Sequence, residues 1–145
     1  MTFAAPIPGY VIRYSYLWHS EFLAGREEGT KDRPCAVVLM NQTDDGRKTV
    51  TVLPITHTQP KDMTRAVEIL QPVKRRLKLD GDRSWIVFSE ANRFKWPGPD
   101  LRPVPVASSS TILYGPLPPA FFHDVLARFI DALESKKSRT VPRTQ

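Results

Sequence analysis

The sequence predicts one mostly-β domain with some α structure: a small barrel or strongly bent sheet of about five to seven short strands, closed at one end by a single helix. Three observations carry this reading. Short runs rich in β-branched and aromatic residues recur at regular spacing between turn residues. Only one segment, near the C-terminus, sustains a helical period. The 145 residues, 41% hydrophobic and 25% charged, suffice for one packed core, and one domain is expected.

From Gly9 to Trp18, GYVIRYSYLW combines β-branched and aromatic side chains with partial alternation and reads as the first strand. HSEFLAGREEGTKDRP follows with glycines, charges and a closing proline but no amphipathic period, so residues 19–32 are expected as a long exposed loop. CAVVLMN (35–41) and TVTVLPIT (49–56) flank the polar, glycine-containing QTDDGRK and form a hairpin. AVEIL (66–70) and SWIVFSE (84–90) supply two further strands. Between them Val73 and Leu77, at i and i+4, suit one or two helical turns with a basic outer face. Four prolines between 97 and 105 forbid regular pairing there, ahead of a short strand at TILYG.

Phe122, Val125, Leu126, Phe129, Ile130 and Leu133 repeat at helical spacing behind Pro118 and Pro119, which a helix start tolerates, and this is the closing helix. The barrel domain is thus expected to span 1–134. The last eleven residues, SKKSRTVPRTQ, hold four basic side chains and no acid and are expected as a basic, disordered tail. That tail supplies +4 of the formal net charge of +6, so the body carries only +2 and is not a strongly basic fold. Within the body KRRLK at 74–78 still concentrates positive charge, with Arg83, Arg93 and Lys95 further on, which leaves a local anion-binding face open.

No run approaches the roughly 18 apolar residues of a membrane span, and MTFAAPIPGY lacks the regions of a signal peptide, so a cytoplasmic protein without a membrane partner is expected. The lone Cys35 excludes intramolecular disulfides and cysteine-rich zinc sites, and His19, His57 and His123 show no ligand spacing, so neither metal nor cofactor is expected. Glycine loops for nucleotides and the G-x-S-x-G elbow are both missing. What remains is polar residues at strand ends.

Arg33 stands directly before Pro34 and the strand from Cys35, while Thr56 ends the strand expected to be its hairpin partner. Antiparallel pairing brings the start of one beside the end of the other. A guanidinium that grips phosphate by two parallel hydrogen bonds, next to a hydroxyl on rigid backbone, suits a phosphorane-like transition state. Taken singly, Arg33 is a charged gatekeeper flanking a hydrophobic strand and Thr56 an ordinary strand-end residue. Their predicted proximity is what favours a site. His57 alternates to the other side of the strand from Thr56, Cys35 reads as an inert core thiol, and Trp96 either stacks a base or packs on its prolines.

In order and spacing these segments resemble the MazF/PemK family of bacterial toxins. The resemblance rests on PGYVIRY, Glu28 five positions before Arg33-Pro34, RPCAVVL, and VLPIT ending at Thr56, and continues more weakly through AVEI, VKRRLKLDGDRSWIVFSEANRF and YGPLPPAFFHDVLARFIDAL. It covers most of residues 8–133. It implies an SH3-like (CcdB/PemK-like) barrel, a homodimer, and a metal-independent endoribonuclease toxin that cuts single-stranded RNA sequence-selectively to 2',3'-cyclic phosphate and 5'-hydroxyl ends and is neutralised by a cognate antitoxin. Arg33 would then serve the phosphate and proton transfer, Thr56 would hold the scissile phosphate, and Glu28 would support the site from its loop. Lys31, Lys74, Arg75, Arg93 and His57 are the candidates for binding the RNA strand. The chain departs from the family in YSYLW at the end of the first strand, in Glu90-Ala91-Asn92, in the proline-rich 97–105 segment and in the tail. The rival reading from another class is a related barrel that grips nucleic acid or protein without cutting it; a toxin of the same fold aimed at a protein such as gyrase is a minor third.

Overall fold

The computed structural model describes residues 6–27, 29, 31–105 and 111–143. Its strands are β1 Tyr10–Tyr14, β2 Arg33–Gln42, β3 Lys48–Thr56, β4 Ala66–Ile69, β5 Ser84–Val87, β6 Glu90–Lys95, β7 Leu113–Pro116 and β8 Arg139–Pro142. Its α-helices are α1 His19–Leu23, α2 Gln71–Arg76 and α3 Pro119–Glu134. The strands form one curled, largely antiparallel half-barrel ordered β4-β5-β3-β2-β1-β7, with β6 joined to β3 and to β8.

β3 organises the sheet. One edge runs along β2 for almost its whole length. The other edge is shared: Thr49–Val52 pair with β6, and Ile55 and Thr56 with β5. Leu53 and Pro54 fall in the gap between those two partners, so a proline sits inside a central strand at a place that asks no second ladder bond of it. A register shift in β2 between Val37 and Leu39 adds the bulge that such curling requires.

Both faces of the sheet are buried. On one, Val11, Ala36, Leu53 and Ile55 meet Ile69, Leu77, Ile86 and the α3 residues Val125, Phe129 and Ala132. On the other, Ile12, Tyr14, Cys35, Val37, Val50 and Val52 meet Phe94, Leu101 and Ile112. This explains the near-continuous apolar run of β2. Burying Phe129 completely contributes about 1.5–3 kcal/mol. The expected helical stripe is used unevenly: Val125 and Phe129 are fully enclosed, whereas Ile130 and Leu133 keep 38% and 37% of their surface in solvent.

Four expectations need correction. Residues 19–32 are not loop throughout, because His19–Leu23 form α1, too short to show an amphipathic period. The strand count is eight among the described residues; β6 was missed because Asn92, Arg93 and Lys95 dilute its apolar pattern, although pairing with β3 and β8 determines it. The outer face of α2 is not uniformly basic, since Lys74 points inward and only Arg75 and Arg76 lie outside. The tail is ordered through residue 143, so the folded unit extends beyond 134: β8 adds in parallel to the edge of β6, Val141 is fully buried, and Arg143 is enclosed. The physical reason is that Arg143 has partners far away in sequence, on Ser15, Asn92 and Asp100.

Candidate functional site

Arg33 opens β2, opposite Tyr14 of β1. The loop that delivers it passes flush against the end of β1: a Cβ on Gly29 would lie 2.0 Å from the Tyr16 carbonyl oxygen, so only glycine fits. Arg33 is 9% exposed. Its guanidinium carbon stands 4.9 Å from the centroid of the Trp18 ring, and its Nε has no hydrogen-bond partner among the described residues. A buried, unpaired donor on a permanently charged group is unusual and leaves capacity for an anion.

The Trp18 wall is held from below. Asn92 clamps the preceding backbone, donating from Nδ2 to the Leu17 carbonyl at 2.7 Å and accepting from the Leu17 N–H at 2.9 Å. Glu90 Oε1 accepts from the Tyr16 hydroxyl at 3.0 Å and the His19 N–H at 2.9 Å. Glu90 and Asn92 thus act through structure, holding the YSYLW segment over Arg33. Sequence reasoning left the Glu90-Ala91-Asn92 position open and missed Tyr16 and Trp18; an acid and an amide flanking a strand carry no local signal of partners some seventy residues away.

Burial raises the Glu90 carboxyl above its ordinary value, against the pull of the His19 N–H and the Tyr16 hydroxyl. Burial also pushes the Tyr16 phenol well above its usual value, with Glu90 reinforcing the rise and Arg33 opposing it. Because folded Glu90 holds its proton more tightly than the unfolded chain does, its ionisation destabilises the native state as pH rises from the ordinary carboxylate range through the raised value. Glu90→Gln keeps an acceptor for Tyr16 and His19. The variant is expected to melt at or above the parent temperature at neutral pH and to lose that advantage in acid, as thermal denaturation at several pH values would show.

The last register pair in β2 and β3 is Cys35 with Pro54. Continued two residues beyond that pair, the register runs Arg33 toward Thr56, past the end of the ladder. Both side chains fall by alternation on the Cys35 face. Thr56 is half-buried, paired on its other side with Trp85, and its Oγ accepts from the Thr58 N–H at 3.1 Å. No direct hydrogen bond joins Arg33 to Thr56 among the described residues. Glu28 lies outside the described residues.

His57 faces the opposite side, into a cleft of about 400 Å³ that also touches Pro34, Ile55, Lys78, Asp80 and Ser84. Its Nε2 is 2.8 Å from Asp80 Oδ2, and its Nδ1 is 3.0 Å from Ser84 Oγ. Lys74, fully buried, donates from Nζ to Asp80 Oδ1 at 2.9 Å, to Ser84 Oγ at 2.7 Å and to the Asp82 carbonyl. Lys74 therefore cannot bind RNA from here; it is the internal counter-ion of the 80–84 turn. Burial works to raise the Asp80 carboxyl, but the Lys74 ammonium, the Asp82 N–H and His57 together hold it below the ordinary range. His57, Asp80 and Asp82 bring ligand atoms within 4.8 Å of one another, a grouping absent from the sequence-based expectation. Of this group the Lys74 ammonium meets the Asp80 carboxylate, and at Asp82 it bonds the main-chain carbonyl.

The remaining basic candidates scatter. Lys31 is exposed two residues before Arg33, and Arg75 is exposed on α2. Arg93 is exposed opposite Thr51, which is roughly 16 Å from Thr56 along β3 at the rise of an extended strand. Arg83 is held by Glu68 at 2.8 and 2.9 Å. Trp96 packs against Phe94, with ring centroids 6.1 Å apart. Burial pushes the Cys35 thiol far up, leaving it an unreactive core residue. Compared with known proteins, the chain matches no protein-family model, no curated protein and no solved structure.

Proposed function

We propose that this protein is a metal-independent endoribonuclease of the MazF/PemK kind, a toxin on an SH3-like (CcdB/PemK-like) barrel that cuts single-stranded RNA. The single observation that supports it most is Arg33: 9% exposed, beside the Trp18 ring, with an unpaired Nε, at the end of β2 whose continued register runs toward Thr56. Removed from water, a guanidinium attracts phosphate more strongly than at an open surface.

In this reaction the RNA supplies its own nucleophile. The 2'-oxygen forms a bond to the adjacent phosphorus as its proton leaves; the bond from phosphorus to the 5'-oxygen breaks, and that oxygen takes a proton. The products are a 2',3'-cyclic phosphate and a 5'-hydroxyl. The protein need only stabilise charge and move protons. Arg33 is the clamp on the pentacoordinate phosphorus and takes part in proton transfer, Thr56 donates its hydroxyl to a phosphate oxygen, and Glu28 supports from its loop. A cognate antitoxin, a homodimer and a cytoplasmic location belong to the same reading.

Purified protein incubated with a long single-stranded RNA in EDTA is expected to yield discrete fragments ending in 2',3'-cyclic phosphate. Retarded but intact RNA would instead identify a binding module, and intact, unretarded RNA would remove nucleic acid from consideration.

A further inference from the structure

The cleft on the His57 face has its own chemistry, separate from Arg33 and Thr56. Its acids are already answered: Asp80 by Lys74 at 2.9 Å and His57 at 2.8 Å, Asp32 by Arg102 at 3.6 Å. Its remaining cations are not. Arg13 donates only to the Pro103 carbonyl at 3.1 Å, and neither Arg13 nor Lys78 forms an ion pair among the described residues. Half-buried Tyr114 lines the same cleft. Burial raises its phenol, while the Arg13 charge pulls it down.

Lys78 sits just past the end of α2 with φ at +57°, as Lys136 does past the end of α3, in the left-handed region where a helix stop usually carries glycine. The backbone geometry is the ordinary stop, with the Lys78 N–H bonded to the Arg75 carbonyl and the Leu79 N–H to the Lys74 carbonyl at 3.0 Å. A lysine there is unfavourable for folding, and this one lines the cleft. Lys78 and Tyr114 also line a second cavity of about 270 Å³, which Arg76 borders, so the two hollows form one trough.

We propose that this trough binds a short single-stranded nucleotide segment, its phosphates between Arg13, Lys78 and Arg76 and one base against Tyr114. Unpaired cations beside an aromatic face are the combination that holds single-stranded nucleic acid without reading its sequence. The trough begins at Pro34, Ile55 and His57, each next in sequence to Arg33 or Thr56, so a strand lying in it leads over the rim to that pair. The RNA identity of the strand rests on the proposed ribonuclease reading; the site itself does not.

The test is binding, kept apart from cleavage by using a fluorescent single-stranded hexadeoxynucleotide, which lacks the 2'-hydroxyl and cannot be cut. Lys78→Gly suits the φ of +57°, so its melting temperature should equal or exceed the parent's. The variant should nevertheless bind the hexamer several-fold more weakly, with the slope of log affinity against log salt reduced by about 0.7. Arg128→Ala, on the exposed face of α3, should bind as the parent does. The proposal fails if Lys78→Gly binds unchanged, if Arg128→Ala loses as much, or if a nucleoside monophosphate binds as tightly as the hexamer. If the parent leaves RNA uncut while Lys78→Gly still loses the hexamer, the trough stands and the nuclease reading falls.

Discussion

Arg33→Ala should reduce RNA cleavage by at least about 10²–10³-fold, the loss typical of removing one preorganised donor from a developing oxyanion. The prediction is clean because the parent Arg33 leaves its Nε without a partner, so truncation orphans no hydrogen bond there. What folding loses is the stack beneath Trp18, about 0.5–2 kcal/mol. The variant should therefore melt cooperatively within a few degrees of the parent while single-turnover assays in EDTA show almost no fragments. Arg33→Lys keeps the charge but not the planar fork, and recovery should be slight. Expression of the parent in bacteria should arrest growth, and expression of either variant should not. Undiminished cutting by Arg33→Ala would remove Arg33 from the chemistry.

The second large effect concerns stability. Arg143 donates to the Ser15 carbonyl at 2.7 Å, Asn92 Oδ1 at 3.1 Å, Asp100 Oδ2 at 2.9 Å and the Glu27 carbonyl at 3.4 Å, and its guanidinium lies 5.2 Å from the Tyr14 ring centroid. The Arg143 side chain is 2% exposed and that of Asp100 10%. Arg143→Met removes one partner of a buried pair and leaves the Asp100 carboxylate with Arg102 alone, at 3.9 Å. The expected cost is about 3–5 kcal/mol. For a chain of this size that is a fall of roughly 10–15 °C in melting temperature. Adding Asp100→Asn should recover part of it, because the stranded charge is gone, and a double-mutant cycle would measure the coupling. If Arg143→Met melts with the parent, the tail is not an anchor. The consequence reaches the candidate site, since Ser15 and Glu27 flank the segments that carry Trp18 and Arg33.

Much of the architecture was legible because it depends on local pattern. The hairpin of β2 and β3, the strand at Ala66–Ile69 and the closing helix each announce themselves through apolar period and turn residues, and those cues survive in isolation. From them alone the strand ends that carry Arg33 and Thr56 could be brought near each other. Which residue faces Arg33 was not legible: the register at the turn, Gln42 with Lys48, would run Arg33 to His57, and the shift between Val37 and Leu39 moves it by one toward Thr56. The KRRLK run shows where this stops. Its five residues carry four like charges in sequence, yet Lys74 is buried under Asp80 and Ser84, Arg75 is exposed, and Lys78 lines the trough. Charge counting gives the run one role; burial gives its members several.

By itself, then, the sequence determined a mostly-β domain, its central hairpin and the nearness of the hairpin's two open ends, since all three follow from periodicity and neighbouring residues. Only the tertiary structure decided that the basic tail is a strand, that Arg143 is a clamp, that Trp18 lies against Arg33 with Asn92 holding its segment, and that Arg13, Lys78 and Tyr114 line one cleft with His57. Each of those depends on partners far apart along the chain, and whether a charge is solvated, paired or poised for a ligand is decided by what surrounds it in space.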